Sequence, residues 1–237
     1  MALVRLIVAA IASLVCMNAA AVDVLFVGNS LTTRNEMPVK VAALAESLGG
    51  TELRVTVVAR DGASLTDHLR SGVLRQALRE RRFEVVVLQD TGGFPLCDVS
   101  FPGCATAETS LKESAVIVKA TGARVLLYGT WQSKAAFQPA LSAMASKMAR
   151  DAGVQLVDVG AAIWKWSDVA RPALLPDGHP TEFGSWIVAT AIVSALAEGP
   201  APRARAIEHC VSQSKCFKIP AEVLEAVMAV AWQGPRP

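Results

Sequence analysis

The sequence predicts an α/β fold: a doubly wound parallel sheet of about five strands, covered by helices on both faces to make three layers. Three observations predict it. Short apolar runs such as Val-Leu-Phe-Val at 24–27 and Val-Val-Val-Leu at 85–88 alternate along the chain with stretches of helical character. Runs without polar alternation belong to strands buried on both faces, the usual condition of parallel sheets. A composition of 52% hydrophobic and 19% charged residues, over a length of 237, supports one well-packed domain and excludes disorder.

The elements follow in order. Residues 1–21 read as an export signal. Arg5 supplies a positive start, the apolar stretch 6–15 is too short to span a bilayer, and Ala19 and Ala21 make an A-x-A cleavage site. Cleavage is expected after Ala21. Val15 precedes Cys16 where a lipidation signal wants a small residue, so Cys16 belongs to the removed peptide.

Residues 23–28 form the first predicted strand, which runs into Gly28-Asn29-Ser30. A helix over 36–48 stops at Gly49-Gly50. Residues 53–60 are rich in β-branched side chains and lead into Asp61-Gly62. A basic helix over 65–81 precedes a third strand at 84–89, and two more strands fall at 124–128 and 154–159. Residues 91–105 form a long loop with Pro, Gly and Cys, and long loops in compact domains tend to be functional. The organisation is thus a signal peptide at 1–21, an α/β domain at 22–200 and a C-terminal extension at 201–237 packed on it. Within the extension, a helix begins near Pro220 and presents Val223, Val227 and Val230 on one face for packing rather than for membrane.

A formal net charge of +2 gives no reason to expect nucleic acid or an anionic membrane as a partner. No stable membrane insertion is expected after signal cleavage. Cys97, Cys104, Cys210 and Cys216 remain in the exported chain, and an even count there fits disulfides. Three pairings are open, and proximity favours Cys97–Cys104 and Cys210–Cys216. There is no Cys-x-x-Cys pair and no His at ligand spacing, so no metal is expected.

Ligands of doubly wound sheets sit beyond the carboxyl ends of the strands. Ser30 lies there, on the turn from a strand into a helix, where backbone amides can stabilise an oxyanion. A serine hydroxyl needs a base to act as a nucleophile. The chain has 3 His. His68 lies on the basic helix, where a surface role is expected, and His209 sits beside Cys210. His179 stands in Asp177-Gly178-His179-Pro180-Thr181, and a carboxylate two residues away can orient its ring and stabilise its cation. Trp131, Trp164 and Trp166 are open to either substrate packing or core packing.

The turn Val27-Gly28-Asn29-Ser30-Leu31-Thr32 and the segment Asp177-Gly178-His179-Pro180-Thr181 resemble the first and last sequence blocks of the SGNH/GDSL-type serine hydrolases. The nearest branch opens with Gly-Asn-Ser-x-Thr. The resemblance runs from residue 23 to about 198. Arg60-Asp61-Gly62 matches the block whose glycine amide serves the oxyanion hole, and Val86-Val87-Leu88-Gln89-Asp90 resembles the third block. It implies a flavodoxin-like three-layer fold with Ser30 as nucleophile and His179 as base, supported by Asp177. The oxyanion donors would be the amides of Ser30 and Gly62. No organic cofactor or metal is implied.

Two departures stand out. The third block normally carries an Asn oxyanion donor, and here Thr91 occupies the aligned position while Gln89 is the nearest carboxamide. Gln89 is taken as the donor. Only Gly178 separates Asp177 from His179, where the family usually has two residues. The expected activity is that of an exported, periplasmic or secreted serine esterase. By resemblance alone, a small-molecule or carbohydrate ester with short acyl groups would suit an exported member, with a lipid or lysophospholipid ester as the main competitor. The alternative is a catalytically impaired binding module on the same fold. A nucleotide-binding domain is disfavoured, because the first turn lacks a Gly-x-Gly-x-x-Gly or Walker sequence.

Overall fold

The structure, a computed structural model, describes residues 21–93, 102–175, 177–197, 199–212 and 215–233. Residues 1–20 of the expected export signal lie outside what is described, and so does Cys97 of the expected Cys97–Cys104 bridge. The chain runs β1 (Val22–Gly28), α1 (Ser30–Thr33), a 3-10 turn (Arg34–Glu36), α2 (Met37–Gly49), β2 (Leu53–Ala59), α3 (Leu65–Ser71), α4 (Val73–Glu80) and β3 (Val85–Leu88). It continues with α5 (Pro102–Lys119), β4 (Arg124–Gly129), a 3-10 turn (Ala135–Phe137), α6 (Gln138–Ala152), β5 (Gln155–Asp158), α7 (Val159–Leu174) and α8 (Glu182–Leu196). The last elements are β6 (Ile207–Ser212), β7 (Lys215–Ile219) and α9 (Ala221–Ala231).

Strands β1 to β5 form one parallel sheet in the order β2-β1-β3-β4-β5. The expected five-stranded doubly wound sheet is present. Side-chain parity divides its core, because successive residues of a strand point to opposite faces. Val24, Phe26, Val85 and Val87 pack toward α2, α7, α8 and α9. Leu25, Val27, Val86 and Leu88 pack toward α3, α4, α5 and α6. Helix α8 is buried all round from Gly184 to Ala195, which explains its lack of a polar face.

Three details differ from expectation. Strand β2 is the sheet edge, so it is only partly covered and exposes Val57. The predicted helix over 65–81 is two helices. Gly72 takes a left-handed conformation at φ 75° and ends α3 before α4 begins, a position that disfavours any residue with a Cβ.

The third difference lies in the tail, which contains a β-hairpin as well as the expected helix. Strands β6 and β7 pair antiparallel, with Cys210 opposite Cys216 and joined to it by a disulfide. The expected Cys210–Cys216 pairing is present, but it closes the hairpin on itself rather than pinning the tail to the domain. Apolar burial does the pinning: Ile207, Phe217, Ile219, Leu224, Val227, Met228 and Ala231 belong to the same core as α2 and α8. Each fully buried large apolar side chain contributes about 1.5–3 kcal/mol, so this attachment is strong. Among the described residues, no helix is long and apolar enough to cross a membrane.

Candidate active site

Strand β1 carries the chain out of the sheet at Gly28, and Asn29 turns it into the short helix α1. Asn29 is extended, and its Oδ1 accepts from the Leu31 N–H at 3.0 Å, a capping bond that starts the helix at Ser30. The Asn29 Nδ2 donates to the Ala63 carbonyl at 2.9 Å, which ties this turn to the one after β2. The Arg60 N–H adds a second tie to the Gly28 carbonyl at 3.3 Å. Gly62 sits in that second turn at φ 69°, where glycine is favoured.

Gln89 stands where β3 ends and is wholly buried. Its Oε1 accepts from the Asn29 N–H at 2.9 Å and from the Thr32 hydroxyl at 2.8 Å. Its Nε2 donates to the Asp90 carbonyl. A Cβ at Gly28 would run into Gln89 Oε1 and Thr32 Oγ1, so the glycine is required by this close approach. The role expected for Gln89, as an oxyanion donor, does not fit this geometry. Both ends of its carboxamide are engaged inside the protein, and the group holds the Ser30 turn instead.

Next to it, Asp90 accepts from the Thr91 N–H at 2.8 Å and the Leu65 N–H at 3.3 Å. Burial pushes its carboxyl above the ordinary range, against the pull of those two donors.

His68 also departs from its expected surface role. It is buried, with Nε2 2.7 Å from the Gly28 carbonyl. A carbonyl only accepts, so Nε2 carries the proton and donates. The available sequence signal was its spacing from Leu65. Residues three apart share a helix face, and both side chains are buried here. The basic character of the neighbouring residues masked that signal.

His179 comes from the loop between α7 and α8. Gly178 adopts φ 82° in the Asp-Gly turn, and its carbonyl accepts from the Trp131 indole N–H at 3.0 Å. Thr181 caps α8 by accepting from the Gly184 N–H at 3.1 Å. The loop delivers the His179 ring to Ser30, with Nε2 2.8 Å from Oγ. These two residues are 149 apart in sequence.

Asp177 behaves less simply. Its Oδ1 accepts from the backbone N–H of His179 at 3.1 Å. The same oxygen lies 3.4 Å from the ring Nδ1, close enough for charge attraction, yet Nδ1 is buried without a hydrogen-bond partner among the described residues. Its Oδ2 lies 3.5 Å from the Arg34 guanidinium. The His179 backbone N–H, aided by the nearby His179 ring and the Arg34 guanidinium, holds the Asp177 carboxyl below its ordinary range. The one-residue spacing thus makes Asp177 a cap of its own turn first and a ring partner second.

Trp131 is buried and holds the His179 loop, Trp164 is buried in the core, and Trp166 packs on Phe183 with ring centroids 5.2 Å apart. In front of Ser30 lies a cleft of about 460 Å³ lined by Thr33, Arg34, Asn35, Glu36 and Asp61, all polar or charged. Among the described residues, the grouping with metal-ligand proximity is Glu208, Cys210 and Cys216, and its two sulfurs are bonded to each other.

No protein-family model and no curated protein matches the chain. Solved structures do. A protein from Slackia heliotrinireducens, described as a candidate SGNH hydrolase, is 29% identical, with TM-score 0.59 over 75% of this chain and 100% of that one. An acetylxylan esterase from Geobacillus stearothermophilus is 16% identical, with TM-score 0.58 over 72% and 92% of the two chains. TesA is 22% identical, with TM-score 0.57 over 73% and 97%. The latter two likenesses are of fold. The chain thus shares the fold of these three structures, with its five-stranded parallel sheet, and is similar at 29% identity to the one described as a candidate SGNH hydrolase.

Proposed function

We propose that the chain is an exported serine esterase that works through an acyl-enzyme on Ser30. The observation that carries this reading is the 2.8 Å contact between Ser30 Oγ and His179 Nε2. The distance suits proton transfer. Because Nε2 faces the hydroxyl, a neutral ring protonated on Nδ1 can accept its proton.

The steps follow. Ser30 Oγ attacks the ester carbonyl as His179 takes its proton. The tetrahedral oxyanion forms beside the N–H groups of Ser30 and Gly62, whose turns are stitched together by Asn29 and Arg60. His179 then protonates the departing alkoxide. Water, activated by the same ring, releases the acid and restores Ser30. Asp177 contributes its charge to the imidazolium rather than an aligned hydrogen bond. With Gln89 engaged in the turn, the amides of Ser30 and Gly62 are the assigned donors.

The polar lining of the cleft favours a short acyl group on a hydroxylated alcohol over a long aliphatic chain. The acetylxylan esterase among the similar folds supports a carbohydrate ester as the substrate class. Export rests on the character of residues 1–21, and the disulfide at Cys210–Cys216 is consistent with an oxidising compartment. The test is an ester panel from acetyl to long-chain acyl groups, including acetylated xylo-oligosaccharides, on the wild type and Ser30→Ala. Short acyl esters should be turned over by the wild type alone. A folded Ser30→Ala variant with full turnover would reject the mechanism, and a preference for long chains would reject the substrate class.

A further inference from the structure

The buried, unpartnered Nδ1 of His179 raises the question of what orients the ring. With no aligned carboxylate, its orientation depends on the loop that bears it. Trp131 holds that loop on one side through the Gly178 carbonyl. On the other side stands Asn35, whose Nδ2 donates to the Pro180 carbonyl at 2.7 Å and to Ser185 Oγ at 3.1 Å. Pro180 directly follows His179, and Asn35 lies five residues beyond Ser30. This contact therefore joins the segment bearing one member of the pair to the segment bearing the other.

The backbone at Asn35 is unusual. Asn35 and Glu36 both adopt left-handed conformations, at φ 54° and φ 51°. Such a conformation costs an L-residue roughly 1–2 kcal/mol, although Asn tolerates it better than most. Strain of this kind persists only where surroundings impose it. Lys40 contacts this turn: its ammonium donates to the Asn35 carbonyl and pairs with Glu182 Oε1 at 2.8 Å. Lys40 is wholly buried, with Nζ 3.8 Å from the Phe217 ring centroid and 5.5 Å from that of Trp186. A buried ammonium must be paired, so losing its bond to the Asn35 carbonyl would be costly. Lys40 thereby links the Asn35 turn to the start of α8 and to the tail hairpin.

We propose that Asn35 is a positioning residue, which holds the His179 loop in register with Ser30, and that Lys40 fixes Asn35 for that task. The proposal rests on the reading of Ser30 and His179 as a nucleophile and base. Two substitutions separate positioning from mere structure. Asn35→Gly removes the carboxamide but relaxes the left-handed backbone, so its Tm should stay close to that of the wild type. Asn35→Asp keeps size and backbone tolerance but cannot donate when ionised.

With 4-nitrophenyl acetate as substrate, both variants should lose kcat by roughly 10–100-fold, the scale of an ångström's misplacement. Because Asn35 also lines the cleft, the discriminating readout is the rate of Ser30 capture by a fluorophosphonate, which should fall in parallel with kcat. A folded Asn35→Gly enzyme with wild-type kcat would overturn the proposal. Loss of fold in both variants would overturn it too, by making the contact structural only. Ser30→Ala serves as the control. If that variant stays active the underlying reading fails, whereas an inactive Ser30→Ala beside fully active Asn35 variants sinks the positioning role alone.

Discussion

Replacing Gln89 with Ala separates its two conceivable roles. In the structure its Oε1 satisfies the Asn29 N–H at 2.9 Å and the Thr32 hydroxyl at 2.8 Å, with Gln89 and Thr32 both wholly buried. Alanine leaves both donors without a partner. Each buried orphan costs about 1–3 kcal/mol, so the pair costs about 2–6 kcal/mol. The void left by the missing side chain adds to this loss. For a domain of this size 1 kcal/mol shifts Tm by about 2–4 °C, and a fall of roughly 10 °C is expected. Thermal unfolding followed by circular dichroism measures it, and ester turnover well below the new Tm measures catalysis. An oxyanion donor would behave in the opposite way, since its removal costs about 10²–10³ in kcat without touching the fold. A Gln89→Ala protein with unchanged Tm and that loss of kcat would refute the structural role assigned here.

The charged groups supply further tests. His179→Ala should lower kcat by about 10³-fold or more, because an unactivated hydroxyl is a poor nucleophile. Asp177→Asn should cost less than about tenfold, since Asp177 is not aligned with the ring; steady-state kinetics of both variants checks the contrast, and equal losses would restore Asp177 as a full triad member. At the opposite end of the sheet, the Arg54 hydrogen bond, with Arg81 beside it, holds the Asp23 carboxyl below its ordinary range. A depressed carboxylate stabilises the fold above its unfolded pKa, near pH 4, and that contribution is lost as pH falls through the folded value. The Tm gap between wild type and Asp23→Asn should therefore be full at about pH 6–7 and shrink below about pH 4; a gap independent of pH would contradict the ion-pair account.

Much of the fold was legible because the central strands are buried on both faces. The runs from Val24 to Val27 and from Val85 to Leu88 need no tertiary context to be read as interior strands. The Ser30 and His179 positions were legible for a different reason: each stands in a short sequence block, Gly28-Asn29-Ser30 after a strand and Asp177-Gly178-His179 before a helix, that resembles a hydrolase block, and the Asn29 cap became visible only in the structure. What escaped the sequence is long-range pairing of polar groups. Gln89 follows an apolar strand and carries no local sign that it will be spent on Asn29 and Thr32, some sixty residues earlier. Asn35 and Lys40 look like ordinary helix-start residues until the α8 segment is laid beside them. The tail hairpin was hidden by its short, mixed strands, whose burial of Ile207, Phe217 and Ile219 depends on the surface that α2 and α8 offer.

Mass mapping of the adduct formed with a fluorophosphonate tests the central claim most directly. Ser30 lies 2.8 Å from His179 Nε2 and should be captured as a covalent phosphonyl ester. One stoichiometric adduct is expected on the peptide containing Ser30, strongly slowed in His179→Ala and absent in Ser30→Ala. A folded protein that resists labelling, or an adduct on any other serine, would contradict a Ser30 nucleophile activated by His179.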